Sequence, residues 1–376
     1  MKGNAPQIKR GRGRVNYSRY GYFFVAPFFI AYFVFSLYPL LTTFYYSATR
    51  YFKIGVGEYL GPDFYLKDGS TVKSADFFAN FGNIDLFHNF KDIFDPASAN
   101  SQAVLGSFRN TTIMWLINFF PQMLLALLLA AWFTNARLRV RGQGAYKFFI
   151  YLPNIITAAS IAMLFKTLFG HSGPVNLIRE WWNNVQFDAG WITKAEYDAF
   201  EKINFIREGW PSRLIIAFIN FWMWYGHTMI VLIAGILGIS PSLYEAAQID
   251  GANNTQIFYK ITLPLLKPML TYTLITSLIG GLQMFDIPKL ISMRAEAGLE
   301  AFNMNQTVVY LISERVSTIM PDYGMASAIA ILLFAVTAVF GAMIFFMMRD
   351  KDEIAQRKKE KAAIKAYKKS LRGGVN

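Results

Sequence analysis

The sequence contains no cysteine and few charged residues. The lack of cysteine excludes disulfides, thiolate metal sites and a cysteine nucleophile. Only 16% of the 376 residues are charged, against about 25% in ordinary soluble domains. The three histidines, His88, His171 and His227, are far apart and are not paired at helical spacing, which argues against a metal site. No Gly-x4-Gly-Lys-Ser/Thr phosphate-binding loop is present, so we expect the chain not to bind ATP itself.

Hydrophobic residues make up 54% of the chain and are concentrated in six long runs almost free of charge. A bilayer core of about 30 Å requires about 20 apolar residues in a helix. The runs are continuous rather than alternating, which favours helices over barrel strands. The first run is too long for a signal-peptide core, so we expect it to be a retained anchor. The predicted transmembrane helices are 21–46, 109–134, 145–169, 212–238, 269–291 and 324–348.

The charges are distributed unequally between the loops on the two sides of this six-helix arrangement. The segments 1–20, 134–147, 239–268 and 349–376 together carry a net charge of +16. The loops on the other side carry −6. Positively charged loops remain in the cytoplasm, so both termini are predicted to be cytoplasmic. The basic tails are better explained as topology signals near anionic lipids than as nucleic-acid-binding segments.

The sequence therefore predicts an all-α integral membrane protein of six helices. The long segment 50–107 is predicted to form a small extracytoplasmic insertion, with a core supplied by several of its phenylalanines. The predicted organisation is a cytoplasmic basic tail at 1–20, transmembrane helix 1 at 21–49, the insertion at 50–107, a core domain at 108–348 that includes the loop 240–268, and a second cytoplasmic basic tail at 349–376.

The cytoplasmic loop between helices 4 and 5 has the pattern of two short helices joined by a turn. Its sequence, from residue 240 to 268, is SPSLYEAAQIDGANNTQIFYKITLPLLKP. A helix start is indicated by Ser240-Pro241 and, alternatively, by the capping-box spacing of Ser242 and Glu245. Gly251 permits a turn that other residues resist.

Asn253 or Asn254 is suited to cap the second short helix. The small residues of this loop, among them Ala246 and Ala247, permit close approach of another surface. By its residues alone the loop is either a docking element or a connector that lies on the membrane surface.

The same loop resembles the signature loop of ABC importer permeases. That pattern is Glu-Ala-Ala, three residues, Gly, nine residues, Ile, one residue and Leu-Pro. Every spacing is met here by Glu245-Ala246-Ala247, Gly251, Ile261 and Leu263-Pro264. Further segments resemble the carbohydrate-uptake branch of the family, over roughly 105–345: Asp250-Gly251-Ala252, Asn110-Thr111, Leu152-Pro153, Phe285-Asp286 and Tyr323-Gly324-Met325-Ala326.

The resemblance implies a non-enzymatic pore subunit of an ATP-driven sugar importer in a bacterial plasma membrane. Its implied partners are a second homologous permease, a cytoplasmic ABC ATPase dimer that binds ATP and Mg²⁺, an extracytoplasmic solute-binding protein, a sugar and membrane lipid. Glu245 would pair with a basic residue of the ATPase. The implied coupling residues are Glu245, Ala246, Ala247, Asp250, Gly251, Ala252, Ile261, Leu263 and Pro264.

Polar and aromatic residues within the predicted spans are candidates for the sugar pathway. Polar groups inside a membrane usually face the bundle interior or a cavity, although helix–helix hydrogen bonding explains Asn and Gln equally well. Asp286 and Lys289, three residues apart, are suited to pair with each other. The candidate pathway residues are Asn118, Gln122, Asn220, Trp224, Tyr225, Gln283 and Asp286.

Three other functions remain open at this point. The first is an ABC permease for an amino acid, phosphate or polyamine, against which the Asp-Gly-Ala form of the loop and the aromatic-rich helices favour a sugar. The second is a membrane enzyme, which would require clustered carboxylates or a metal site. The third is a secondary transporter, for which more spans in repeated halves are typical.

Overall fold

The computed structural model describes residues 18–54, 58–135, 141–293, 298–348 and 360–364. Most of both basic tails, 1–20 and 349–376, therefore lies outside the described residues. The secondary-structure elements, in chain order, are α1 Ser18–Tyr32, α2 Tyr38–Ser47, β1 Thr49–Ile54, β2 Glu58–Tyr65, β3 Thr71–Lys73, α3 Phe77–Asn80, α4 His88–Phe94, α5 Ala99–Thr134, α6 Gln143–Ile155, α7 Ala158–Phe169, α8 Pro174–Asp188, α9 Lys194–Asp198, α10 Gly209–Leu237, α11 Pro241–Ile249, α12 Asn254–Ile257, α13 Leu263–Leu265, α14 Lys267–Leu282, α15 Asp286–Ile291, α16 Leu299–Asn305, α17 Val308–Val316 and α18 Tyr323–Met348.

The predicted membrane fold is confirmed. Among the described residues, five helical stretches are long and apolar enough to cross a bilayer, and there are six spans if a bent helix pair counts as one. The five are Gly21–Ser47, Ala99–Thr134, Gly209–Leu237, Lys267–Ile291 and Tyr323–Met348.

The third predicted span is not one continuous helix. Its two parts, α6 and the stretch that begins with α7, meet at an angle of 91°. Ile156 and Thr157 are extended at the bend, and the Thr157 side chain accepts a hydrogen bond from the Ser160 amide. A threonine that caps a new helix in this way competes with continuation of the old one, and Pro153 weakens the preceding turn by removing a donor.

The fifth span is also interrupted, but not at the positions that the sequence suggested. Gly280-Gly281 and Pro288 are the positions at which the sequence predicts weak points in this helix, whereas the helix ends at Leu282 and resumes at Asp286. Pro288 lies in the first turn of α15, where an amide has no intrahelical acceptor, and is therefore tolerated.

The segment 50–107 departs from the all-helical prediction because it contains a three-stranded antiparallel sheet in the order β1-β2-β3. A bridge between Phe52 and Asp322 joins the sheet to the start of α18. Beside this junction, the buried Asn89 side chain of α4 donates to the carbonyl oxygens of Ser47 and Thr49 at 2.9 and 3.0 Å, which connects α4 to the start of β1.

The predicted phenylalanine core of this segment was mostly wrong. Among the described residues of this segment before α5, the buried apolar residues are Phe64, Ile84 and Ile93, whereas Phe78, Phe81, Phe87 and Phe94 are exposed. Aromatic content alone did not show which rings face inward, because that depends on the register of the sheet.

The core of the bundle is built around the pairing of α5 with α10. Ala126 and Ala130 of α5 are fully buried against Met229 and Leu232 of α10. Small side chains permit the close approach of helix backbones on which packing inside a membrane depends. In contrast, nearly all of the described side chains of the first span are partly or fully exposed. The bundle therefore has a compact centre and a peripheral first helix.

Candidate functional site

The loop between α10 and α14 has the predicted shape of helix, turn and helix. The first helix, α11, begins after Ser240, which caps it without a side-chain hydrogen bond to the backbone. Ser240 and Ser242 instead share a hydrogen bond between their hydroxyls, 2.8 Å long. The alternative start at Ser242 is therefore wrong, because the helix already includes Pro241.

The turn of this loop depends on Gly251, whose φ is +78°. A backbone in this left-handed region costs other residues energy because their Cβ clashes with the chain. Asn253 then caps α12 in a reciprocal capping box: its Oδ1 accepts from the Gln256 amide at 2.8 Å, and Gln256 Oε1 accepts from the Asn253 amide at 2.9 Å.

The two arms of the loop are also connected directly. Beyond α12 the chain forms a π-helical turn from Phe258 to Thr262. The buried Thr262 hydroxyl lies 3.3 Å from the hydroxyl of Tyr244 on α11. This contact links the first short helix to the turn that leads into α14.

The surface of the loop is open to a partner. Glu245, Ala246, Asp250, Gly251 and Pro264 are exposed, and Ala247, Ala252, Ile261 and Leu263 are partly buried. The nearby Ile249 is 86% exposed. A concavity of about 400 Å³ is lined by Asp250, Gly251, Ala252, Gln256, Ile257, Lys260 and Ile261.

A second site lies inside the membrane bundle, where α5, α10 and α14 enclose a cavity of about 190 Å³. No described residue of its lining is an aspartate, glutamate, lysine or arginine. The lining contains two tryptophans, three amides, one histidine, four hydroxyl side chains, two glycines and one methionine: Trp115, Asn118, Gln122, Asn220, Trp224, His227, Thr228, Thr273, Thr276, Ser277, Gly280, Gly281 and Met284.

Four of the seven predicted pathway residues line this cavity: Asn118, Gln122, Asn220 and Trp224. Two of their amides already have protein partners. Gln122 Nε2 donates to Thr228 Oγ1 at 2.9 Å, and Asn220 Nδ2 donates to the Ile216 carbonyl at 2.8 Å. Each retains a side-chain carbonyl oxygen as an acceptor.

The other three predicted residues are not in the cavity lining. Tyr225 is partly buried, and its ring lies 5.4 Å from that of Phe221. Gln283 and Asp286 are exposed at the break between α14 and α15.

The suggested pairing of Asp286 with Lys289 is not formed. Lys289 Nζ instead donates to Ser313 Oγ at 2.9 Å and lies 4.8 Å from the centre of the Phe285 ring. Asp286 therefore remains a separate carboxylate at the helix break.

Sequence analysis missed much of the lining, above all Trp115. Trp115, Asn118 and Gln122 follow the spacing i, i+3, i+7 and so share one helix face. On α14 the same spacing joins Thr273 and Thr276. Helical periodicity applied to the two predicted amides of α5 could have found Trp115.

A buried arginine forms another polar centre that the sequence did not reveal. Arg213, near the start of α10, is 2% exposed. It donates to Asn110 Oδ1 and to the Met304 carbonyl oxygen. The site joins α5, α10 and α16 by polar contacts within the bundle.

The junction between the sheet and α18 holds a buried carboxyl group. Asp322 Oδ1 accepts a hydrogen bond from the Met325 amide at 2.9 Å and so caps α18. Burial raises the pKa of Asp322 above its usual range, although the amide hydrogen bond and the charge of Arg315 act in the opposite direction.

The part of the chain that the structure describes contains no candidate metal site. There, no group of three or more histidine, cysteine, aspartate or glutamate residues is placed to hold an ion. The two sites are thus a water-accessible cavity of neutral polar groups and a loop with exposed charged and apolar residues.

The fold and these two sites define a multi-span membrane protein with an internal polar cavity and a structured loop between two spans. The profile of the family described as "Binding-protein-dependent transport system inner membrane component" matches residues 110–350. This match covers well over half of the chain, and the chain belongs to that family of transport permeases.

Two characterised relatives align over most of both chains. The lactose transport system permease protein LacF of Rhizobium radiobacter is 29% identical over 88% of this chain and 94% of its own length. The arabinooligosaccharides transport system permease protein AraP of Bacillus subtilis (strain 168) is 26% identical over 83% of each chain.

A solved structure has the same fold. A chain of a bacterial alginate ABC transporter, crystallised in complex with an alginate pentasaccharide-bound periplasmic protein, is similar with a TM-score of 0.59. The two chains share 21% identity, and the alignment covers 89% of this chain and 96% of the other.

Proposed function

We propose that this chain is a pore-forming permease subunit of an ATP-driven importer of sugars or oligosaccharides. The observation that carries this proposal is the cavity between α5, α10 and α14. Indole rings, amides and hydroxyls are the groups that a saccharide requires, because its carbon–hydrogen faces pack on aromatic rings and its hydroxyls both donate and accept hydrogen bonds. The named relatives transport lactose and arabinooligosaccharides, which supports a saccharide over a non-sugar solute.

The second part of the proposal concerns energy coupling. The exposed loop 240–268 seats in a cytoplasmic ATPase dimer, which binds ATP and Mg²⁺, and Glu245 pairs with a basic residue there. The left-handed turn at Gly251 and the Tyr244–Thr262 contact connect α11 to the segment that leads into α14. Through these connections a movement of α11 is transmitted to α14.

The assembly and its orientation complete the proposal. A second homologous permease supplies the other half of the pore, and an extracytoplasmic solute-binding protein delivers the sugar. Both termini lie in the cytoplasm in this proposal, which the charge difference between the two sets of loops supports.

A pull-down from the native membrane tests the coupling. The wild-type chain is expected to recover a second permease and an ATPase, and Glu245→Lys is expected to lose the ATPase and keep the permease. Glu201→Lys makes the same charge reversal at an exposed glutamate on the opposite side and serves as the control. Recovery of the ATPase by Glu245→Lys at the wild-type level would refute the docking role of the loop.

Uptake tests the substrate class. Cells that carry the complete importer are expected to accumulate a radiolabelled saccharide from a panel that also contains amino acids, phosphate and polyamines. Accumulation of one of these other solutes alone would refute the assignment to sugars.

A further inference from the structure

Trp115 and Gly281 are in unusually close contact across the bundle. A Cβ placed on Gly281 would lie 1.9 Å from Trp115 Cδ1, 2.5 Å from Cγ and 2.7 Å from Nε1. Real Cβ atoms essentially never come this close to a neighbour, so the indole occupies the space that any other residue at 281 would fill. At the adjacent Gly280, by comparison, an added Cβ would meet no heavy atom within 4 Å.

The indole is held in place by further contacts. Its Nε1 donates to Ser277 Oγ at 3.5 Å, one turn before Gly281 on α14. The Phe119 ring lies 5.3 Å away, and Trp115 packs against the buried cluster that contains Leu278 and Leu282. A ring with these restraints loses little conformational freedom when a ligand binds, which favours affinity.

Trp115 is also part of the cavity wall, on the same face of α5 as Asn118 and Gln122. The described lining offers amides and hydroxyls but no fixed charge, and His227 is its one titratable side chain. A carboxylate or sulfate in this cavity would lose its hydration without gaining a cationic partner from the described lining. A neutral saccharide ring would exchange its hydrogen bonds with water for bonds to the lining.

Four cations lie near the lining along the chain, and none of them is part of it: Arg109, Arg213, Lys267 and Lys289. The Arg213 guanidinium is buried against Asn110 and the Met304 carbonyl, and Lys289 is directed to Ser313. Asp286, at the helix break, is an acidic residue, and a carboxylate there would repel an anionic sugar.

We propose that the Trp115 indole, set on the backbone of Gly281, is the stacking surface for one ring of a neutral saccharide in the permease cavity. This inference rests on the proposed import of saccharides and adds to it a binding residue, the residue that positions it, and the exclusion of acidic sugars. Gly281 thus acts as a positioning residue, because the indole occupies the space that a side chain at 281 would fill.

Four single variants test the proposal in the complete importer. Gly281→Ala forces the indole away from α14, and Trp115→Ala removes it, so each is expected to lower saccharide uptake about tenfold. Trp115→Phe keeps an aromatic face and is expected to retain uptake within about threefold of wild type. Gly280→Ala adds the same methyl group to the same cavity without touching Trp115, and its loss of uptake is expected to be much smaller than that of Gly281→Ala.

A double variant distinguishes two causes of lost uptake, namely displacement of the Trp115 ring and general damage to the fold. The smaller ring of Trp115→Phe leaves room for the methyl group of Gly281→Ala, so the double variant is expected to transport better than Gly281→Ala alone. Recovery of the ATPase by pull-down and the melting temperature of the complex are measured for every variant. Gly341→Ala, at a glycine of α18 where a Cβ meets nothing within 4 Å, is the control for unchanged uptake.

The probes are radiolabelled lactose and arabinotriose as neutral saccharides and an alginate trisaccharide as the acidic one. Wild-type uptake of a neutral probe, together with a Gly281→Ala loss much greater than that of Gly280→Ala, would support the proposal. Equal effects of the two glycine variants, or wild-type uptake of the alginate probe alone, would overturn it and leave saccharide import standing. Uptake of no saccharide would overturn both the stacking surface and the proposed function.

Discussion

Arg213 Nη2 donates a 2.7 Å hydrogen bond to Oδ1 of Asn110, and both residues are only 2% exposed. The Asn110 amide nitrogen donates in turn to the Asn303 carbonyl at 2.7 Å. Among the described residues, no carboxylate lies within ion-pair distance of Arg213, so neutral oxygens stabilise a cation inside the bundle. An ionisable residue in such a position is costly, and the buried Arg213 Nε, which has no hydrogen-bond partner, adds to that cost.

Asn110→Leu is predicted to destabilise the protein by about 2–4 kcal/mol, because it leaves a buried cation without its side-chain acceptor. The melting temperature of the purified complex measures the effect. The double variant Asn110→Leu with Arg213→Met removes the cation as well and is expected to recover part of this loss. A double variant no more stable than the single one would show that the charge of Arg213 is not the cause.

Gly251→Ala is predicted to weaken the capture of the ATPase about fivefold or more, because a Cβ at φ +78° costs about 1–2 kcal/mol and shifts the turn between α11 and α12. Recovery of the ATPase in a quantitative pull-down provides the measurement. Gly69→Ala is the matched control: its φ is +86° and, as at Gly251, nothing lies within 4 Å of an added Cβ. Equal losses in both variants would indicate a general effect of strain instead of a role of the loop.

Asp322→Asn is predicted to raise the melting temperature at pH 8 and to have little effect near pH 4. Burial raises the pKa of Asp322 in the folded protein above that of the unfolded chain. Its contribution to stability is therefore present below the unfolded pKa and is lost as the pH rises through the folded pKa. Asparagine keeps an oxygen for the Met325 amide and removes the penalised charge. A variant less stable than wild type at pH 8 would contradict this account.

Trp224→Ala, Gln283→Ala and Asp286→Ala are predicted to reduce sugar uptake without loss of the ATPase. Trp224 lines the cavity and is 47% exposed, while Gln283 and Asp286 are exposed at the break in the fifth span. We expect the greatest loss, about tenfold, for Trp224→Ala, because it removes an aromatic face. Uptake is measured with the saccharide that the wild type accumulates. Unchanged uptake in all three variants would remove these residues from the pathway.

The features that the sequence predicted well are those encoded by local patterns. Uncharged runs identified the membrane-crossing helices, and the spacing from Glu245 to Pro264 identified the loop, because span length and turn chemistry depend on consecutive residues. The turn at Gly251 and the cap at Asn253 were found for the same reason.

The features that the sequence did not predict depend on contacts between distant segments. The sequence did not place the bend at Thr157 or the break after Leu282, because neither 156–157 nor 283–285 contains a proline or glycine. The sheet of the insertion required the pairing of three separate strands and their attachment to α18.

By itself, the sequence determined that this protein has membrane-crossing helices and that the loop 240–268 has the form of helix, turn and helix. Hydrophobic length, charge and turn residues act locally and leave a readable pattern. Only the tertiary structure decided that Trp115 lies on Gly281 and that Arg213 meets Asn110, because each pair joins helices separated by more than one hundred residues. A glycine shows in the sequence that space is available, but the fold alone decides which side chain fills it.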